Sequence, residues 1–123
     1  MLASLLGLGR ERRIRKRAEF LRMYRLGRKI GTRNVVIYAL KASAASPRLG
    51  ITVSSKVGGA VTRNRAKRLI REAYRQCPLV QESELDLVIN ARPAIVRASY
   101  LELREELAQA IQHLLRQHPW TRP

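Results

Sequence analysis

The spacing of hydrophobic and polar positions along this chain changes period several times, and each change marks an element. Ala18 to Leu26 reads as a helix, with Gly27 in the usual position just past its end. Asn34 to Lys41 alternates, Val35, Ile37 and Ala39 pointing one way and Val36, Tyr38 and Leu40 the other, which is the period of a strand. A short strand is also expected around Arg28–Gly31, where flanking glycines weaken the pattern. Ala42 to Pro47 is a small-residue loop. It leads to a strand over Arg48 to Ser54, with Leu49, Ile51 and Val53 on one face. Val57-Gly58-Gly59-Ala60 then turns into a helix from about Thr62 to Cys77, stopped by Pro78. Leu85 to Ala91 is the last strand, closed by Pro93. The final helix opens at Ser99 with Glu102 three residues on, a capping-box pattern, and carries Leu103, Leu107, Ile111 and Leu114 as its apolar stripe. The order α-β-β-β-α-β-α predicts an α+β sandwich, with helices packed against a mixed sheet.

Length and composition narrow the class. The chain has 123 residues, 46% of them hydrophobic, enough for one packed domain and not two. We expect that domain over residues 10–117, between an N-terminal tail (1–9) and a C-terminal tail (118–123) that includes Trp120. A single cysteine, Cys77, excludes an internally disulfide-stapled scaffold and fits a reducing cytoplasm. No apolar run approaches the roughly 20 residues a membrane span needs. The apolar N-terminal run lacks the basic segment and cleavage site of a signal peptide. No membrane partner is expected.

Charge changes the picture most. The formal net charge is +16, from 25 Lys+Arg against 9 Asp+Glu, and 20 of the cations are arginines. Residues 1–75 hold 20 basic and 3 acidic residues, whereas residues 76–123 hold 5 and 6. The excess is confined to one region, as a surface for a polyanion requires. Arginine is the planar, bidentate donor suited to phosphate.

Within that region the helix after Gly59 is two-sided. At about 100° per residue, Ala66, Leu69, Ile70, Ala73, Tyr74 and Cys77 share one face. Asn64, Lys67, Arg68, Arg71 and Arg75 share the other, with Glu72 beside them as the helix's only acid. A solvated charged face would mix signs, and this one is cationic almost throughout. Arg10 to Arg17, dense in like charge, is expected to be an extended arm. Gly58-Gly59 is open to two readings, a phosphate-cradling turn or a tight strand-to-helix turn. No Gly-Lys-Ser/Thr follows, so nucleotide hydrolysis is not indicated. Phe20 and Tyr24 lie four apart and Tyr38 is mid-strand; they could stack unpaired bases in an open groove, but by spacing alone they fit a core better.

Catalytic chemistry is sparse. His113 and His118 lie near the C-terminus, and the basic region's acids are only Glu11, Glu19 and Glu72, no two-metal nuclease set. Cys77 has no companion for metal ligation. We expect no catalytic residue, metal ligand, cofactor or small-molecule substrate on this chain. Three classes stay open on charge alone: a structural RNA-binding protein, a self-sufficient nuclease and a DNA-binding module.

Arg48-Leu-Gly-Ile-Thr-Val-Ser54, Lys56-Val-Gly and Ala60-Val-Thr-Arg-Asn-Arg-Ala-Lys-Arg-Leu-Ile-Arg-Glu-Ala-Tyr-Arg75 together resemble the bacterial ribonuclease P protein component. Arg63-Asn64-Arg65 with Lys67, Arg68 and Arg71 matches that family's RNR motif. The resemblance extends to Arg15–Phe20, to Val35–Tyr38 and to Asp86–Pro93. It implies an accessory, non-catalytic subunit whose partners are ribonuclease P RNA and precursor tRNA. The holoenzyme is an endoribonuclease that removes the 5′ leader in tRNA maturation, and the RNA carries the Mg²⁺-dependent hydrolysis. It further implies that Lys56, Arg63, Asn64, Arg65, Lys67, Arg68 and Arg71 contact the catalytic RNA. Phe20, Tyr24, Val36 and Tyr38 would form a cleft for the single-stranded leader. The implied fold is similar to the second domain of ribosomal protein S5 and has a left-handed β-α-β crossover, which spacing does not reveal. Ser55 departs from the Ser-Lys-Lys run of many members, at the cost of one cation.

Overall fold

Alternation along the strands sorts side chains onto two faces of one four-stranded sheet, and those faces are covered very differently. The structure, a computed structural model, describes residues 13–42 and 47–117. Both tails, Arg10 to Arg12 of the arm, His118 and Trp120 lie outside the described residues. The strands are β1 (Arg28–Gly31), β2 (Val35–Lys41), β3 (Leu49–Thr52) and β4 (Leu85–Ala91), in spatial order β1-β2-β4-β3. β2 is antiparallel to β1 and to β4, while β3 and β4 are parallel neighbours joined by a helical crossover. The helices are α1 (Arg17–Leu26), α2 (Ala60–Arg75), α3 (Pro78–Glu82) and α4 (Tyr100–Leu115), with a 3₁₀ turn over Pro93–Arg97. This is the α+β architecture that the pattern predicts, short strand β1 included.

Register builds one face from a row of isoleucines. Ile30 pairs with Ile37, Ile37 with Ile89, and Ile89 with Ile51. On them pack α2, through Ala66, Ile70, Ala73 and Tyr74, and α4, through Leu103, Leu107, Ala110, Ile111 and Leu114. Cys77 is buried there, as its place on the apolar face of the helix predicts. Glu106 of α4 fastens the far edge. Its carboxylate accepts hydrogen bonds from the Asn34 backbone N–H (2.9 Å), from Asn34 Nδ2 (2.7 Å) and from the Thr32 hydroxyl. Asn34 is buried, and this carboxylate satisfies it.

Among the described residues, the other face is covered by α1 and by Ile14 of the arm. Its small cluster is Ile14, Met23, Leu40 and Val88, with Phe20, Tyr24 and Tyr38 packed against it. Arg13–Lys16 are extended, as expected of the arm, and Arg17 already belongs to α1. Ile14 N–H donates to the Leu49 carbonyl at 2.9 Å, so the arm lies along β3 and covers an otherwise open sheet edge.

Element ends differ from the pattern in several places, β3 among them, which is shorter at both ends than the expected Arg48–Ser54. Helix α2 starts at Ala60 and stops at Arg75, and Pro78 opens a further short helix instead of merely ending one. Proline's missing N–H and fixed φ suit that first helical position. Gly27 follows α1, but with φ −73° its backbone is not left-handed. Glycine is required there by space, because a Cβ would lie 2.5 Å from the Met23 carbonyl oxygen. Ser99 caps α4 as its sequence predicts: Glu102 N–H donates to Ser99 Oγ at 3.1 Å, and Ser99 N–H to Glu102 Oε1 at 3.4 Å.

Candidate nucleic-acid interface

Strand register sets the floor of a cleft on the thinly covered face. Thr52, Asn90 and Val36 form one row across β3, β4 and β2, and Gly50, Val88 and Tyr38 form the next. Helix α1 lies over these rows and supplies Phe20 and Tyr24, four residues apart and thus on one side of it. The Phe20 and Tyr24 ring centroids are 6.4 Å apart, and Tyr24 meets Tyr38 edge-on at 4.8 Å. Lys29 Nζ stands 5.8 Å from the centre of the Tyr38 ring, within range of a cation–π contact. The four residues implied as a cleft, Phe20, Tyr24, Val36 and Tyr38, thus share one face, all of them half-buried.

Two further residues complete this surface. The hydroxyls of Tyr24 and Thr52 both bond to Asn90 Oδ1, the former at 3.2 Å. Neither Asn90 nor Thr52 is singled out by sequence motif. Asn90 does have a signal in the alternation of β4, where Asp86 and Asn90 fall opposite the buried Leu85, Leu87 and Ile89. Beside the aromatics a hollow of about 320 Å³ is lined by Arg15, Arg17, Phe20, Leu21, Tyr24 and Thr52. Aromatic floor and guanidinium rim thus meet at its mouth. Gly50 makes room for this arrangement, since a Cβ there would lie 2.9 Å from the Phe20 ring.

A half-buried ion network ties α1 to the sheet. Arg48 donates to Glu19 of α1 and, at 3.2 Å, to the buried Asp86 of β4; its backbone N–H reaches Asp86 at 2.8 Å. Burial alone would lower the Arg48 pKa, but the hydrogen bonds it donates to Glu19 and Asp86, with their negative charges, outweigh burial and raise the value overall.

The cationic helix is arranged in two rows. Asn64, Arg65 and Arg68 are exposed on its outer side, while Arg63, Lys67, Arg71 and Arg75 run at intervals of four and are half-buried. Lys56 is exposed in the turn before α2. Arg75 is paired with Glu72, whereas Arg65, Arg68 and Arg71 have no carboxylate partner among the described residues. Burial, then the positive charges of Arg13 and Arg75, lower the Arg71 pKa. Arg13, Arg15 and Arg71 border a hollow of about 160 Å³ over Ile14, Leu49 and Ile51, so the arm and α2 converge. A bound anion would relieve that repulsion. Gly58 has φ +154°, and a Cβ there would lie 2.9 Å from Thr62 of α2, so the tight turn into the helix requires glycine at this position; Gly59, at φ −73°, is not so constrained.

Sequence comparison decides the family. A family model described as Ribonuclease P matches residues 8–115. The chain belongs to the ribonuclease P protein family. It is 38% identical over 104 residues to the ribonuclease P protein component of Desulforapulum autotrophicum, covering 85% of this chain and 89% of that one. With the component from Clostridium acetobutylicum it shares 41% over 100 residues, 80% of this chain and 84% of the other. Its fold superposes on a Staphylococcus aureus RNase P protein mutant, described as defective in mRNA degradation activity. That match has a TM-score of 0.76 at 31% identity, over 93% of this chain and 95% of the other. The Thermotoga maritima RNase P protein gives a TM-score of 0.72 at 30% identity, over 82% and 96%. Membership in the ribonuclease P protein family ties the chain to tRNA processing.

Proposed function

We propose that this ribonuclease P protein is an accessory subunit that grips the catalytic RNA with α2 and the arm and holds the precursor tRNA leader in the α1 cleft. The observation that carries the reading is the cleft itself. Three aromatic rings in contact lie on the thinly covered sheet face, with Arg15 and Arg17 at the rim. Single-stranded nucleic acid is bound by this combination, bases stacking on rings while cations follow the backbone.

The division of labour follows from charge. Lys56, Arg63, Asn64, Arg65, Lys67, Arg68 and Arg71, with the arm, neutralise phosphates of the catalytic RNA. With about six phosphates engaged, log K against log salt falls with a slope of about −4 to −5. Leader bases in the cleft add affinity that mature tRNA lacks, so the holoenzyme prefers substrate over product. Neutralised RNA–RNA repulsion then lowers the Mg²⁺ the reaction needs. In this reading the Mg²⁺-dependent hydrolysis belongs to the RNA.

The test is cleavage of a precursor tRNA at low Mg²⁺ by catalytic RNA alone, protein alone and both together. Cleavage at the mature 5′ end only in the combined sample is the expected result. Cleavage by protein alone would make the chain a nuclease. Tight RNA binding with no stimulation would make it a structural RNA-binding protein.

A further inference from the structure

On the far side of the sheet from the cleft, α2 and the start of α4 enclose a groove of about 450 Å³. It is lined by Arg65, Arg68, Leu69, Arg71, Glu72, Arg75 and Tyr100. We infer that this groove is a second RNA site, which holds one unpaired nucleotide of the RNA that the ridge binds. The inference rests on the reading of that ridge as an RNA contact.

Groove chemistry selects the occupant. Its floor is apolar: Leu69 and Tyr100 are half-buried and pack on the main core. Its rim is cationic, with Arg65 and Arg68 exposed and no carboxylate partner for either among the described residues. The one acid, Glu72, is already engaged by Arg75. Tyr100 follows the Ser99 cap as the first residue of α4, so the capping box fixes the backbone from which its ring projects. Arg104 adds a guanidinium 5.8 Å from the centre of that ring. Aromatic ring, apolar floor and arginine rim suit a base and its phosphate together. A duplex offers no free base face, so the occupant is unpaired. A second copy of this chain, at +16, would be repelled from the same rim. The leader cleft lies on the opposite face of the sheet, so the two sites take different stretches of RNA.

Tyr100→Leu tests this site, because leucine keeps the apolar packing and removes the ring. Binding of the full-length chain to the ribonuclease P RNA transcript is measured across a salt series, with thermal melts to verify folding. Tyr100→Leu is expected to weaken binding at least about fivefold, the lower end of what one base–aromatic stack contributes. Its salt slope should be unchanged, since a stack releases no counterion. Tyr100→Phe should stay within twofold of the native chain, as should Leu101→Ala at the neighbouring exposed position. Ultraviolet irradiation of the native complex, followed by mass spectrometry, should find a nucleotide attached to the peptide containing Tyr100. A folded Tyr100→Leu chain with unchanged affinity and no such adduct would overturn the site and leave the ridge standing. Were the variant to alter self-association instead of RNA affinity, the groove would be a contact between copies. A native chain that fails to bind the transcript would remove the ridge reading, and this site with it.

Discussion

The two faces of the sheet make the informative contrast in this molecule. One is overlaid by α2 and α4 and, among the described residues, holds a cluster of 21 buried side chains; the other is overlaid by α1 and holds 4. Strands β2 and β4 serve both, presenting Ile37 and Ile89 to the first and Tyr38 and Asn90 to the second. The well-filled face supplies the stability, which leaves the other free to keep half-buried rings and hydroxyls exposed to a ligand. In the proposed reading the leader is held where packing is thinnest, on a platform backed by the filled face.

Substitutions on the two faces should separate these roles. The largest effect is expected from Leu87→Ala on the filled face. It empties space in the main buried cluster and should lower unfolding free energy by about 2–5 kcal/mol in denaturant melts. Gly50→Ala, on the cleft face, pushes a methyl group against the Phe20 ring and should cost about 1–3 kcal/mol. Unlike Leu87→Ala, it should also weaken precursor tRNA binding by the holoenzyme more than mature tRNA binding. Arg68→Ala removes an exposed cation that packs on neither face. Melting should be unchanged, while the salt slope for catalytic-RNA binding becomes shallower by about 0.7–0.9 for the one phosphate lost. The smallest effect belongs to Val61→Ala, 84% exposed on α2, which should shift stability by no more than about 0.5 kcal/mol. A large stability loss for Arg68→Ala, or a selective tRNA defect for Leu87→Ala, would blur the division between faces.

Sequence patterning discloses the filled face far better than the open one. The strand over Leu85–Ala91 and the Ser99 cap are legible because each is written locally, in alternation or in a four-residue motif. The two-sidedness of α2 is legible for the same reason, and Arg65 and Arg68 are exposed as the pattern requires. Short α3 escapes because Pro78 signals a stop and a start alike. The open face needs distant partners. Phe20, Tyr24 and Tyr38 become a cleft only when α1 lies across β2, and periodicity alone favours a core for them. Family resemblance, not spacing, places them together. Thr52 and Tyr100 escape altogether, and Asn90 shows only in the alternation of β4, because their partners are 38, 66 or about 30 positions away in the chain.

The central claim, that the thinly packed face holds the leader, is tested most directly by Phe20→Ala in the reconstituted holoenzyme. Affinities for precursor tRNA and for mature tRNA are compared, with thermal melts to verify that the variant folds. The account expects precursor affinity to fall by about 1–3 kcal/mol, the contribution of one stacked base, with mature tRNA affinity unchanged. An equal loss for both RNAs, or no loss for either, would contradict it.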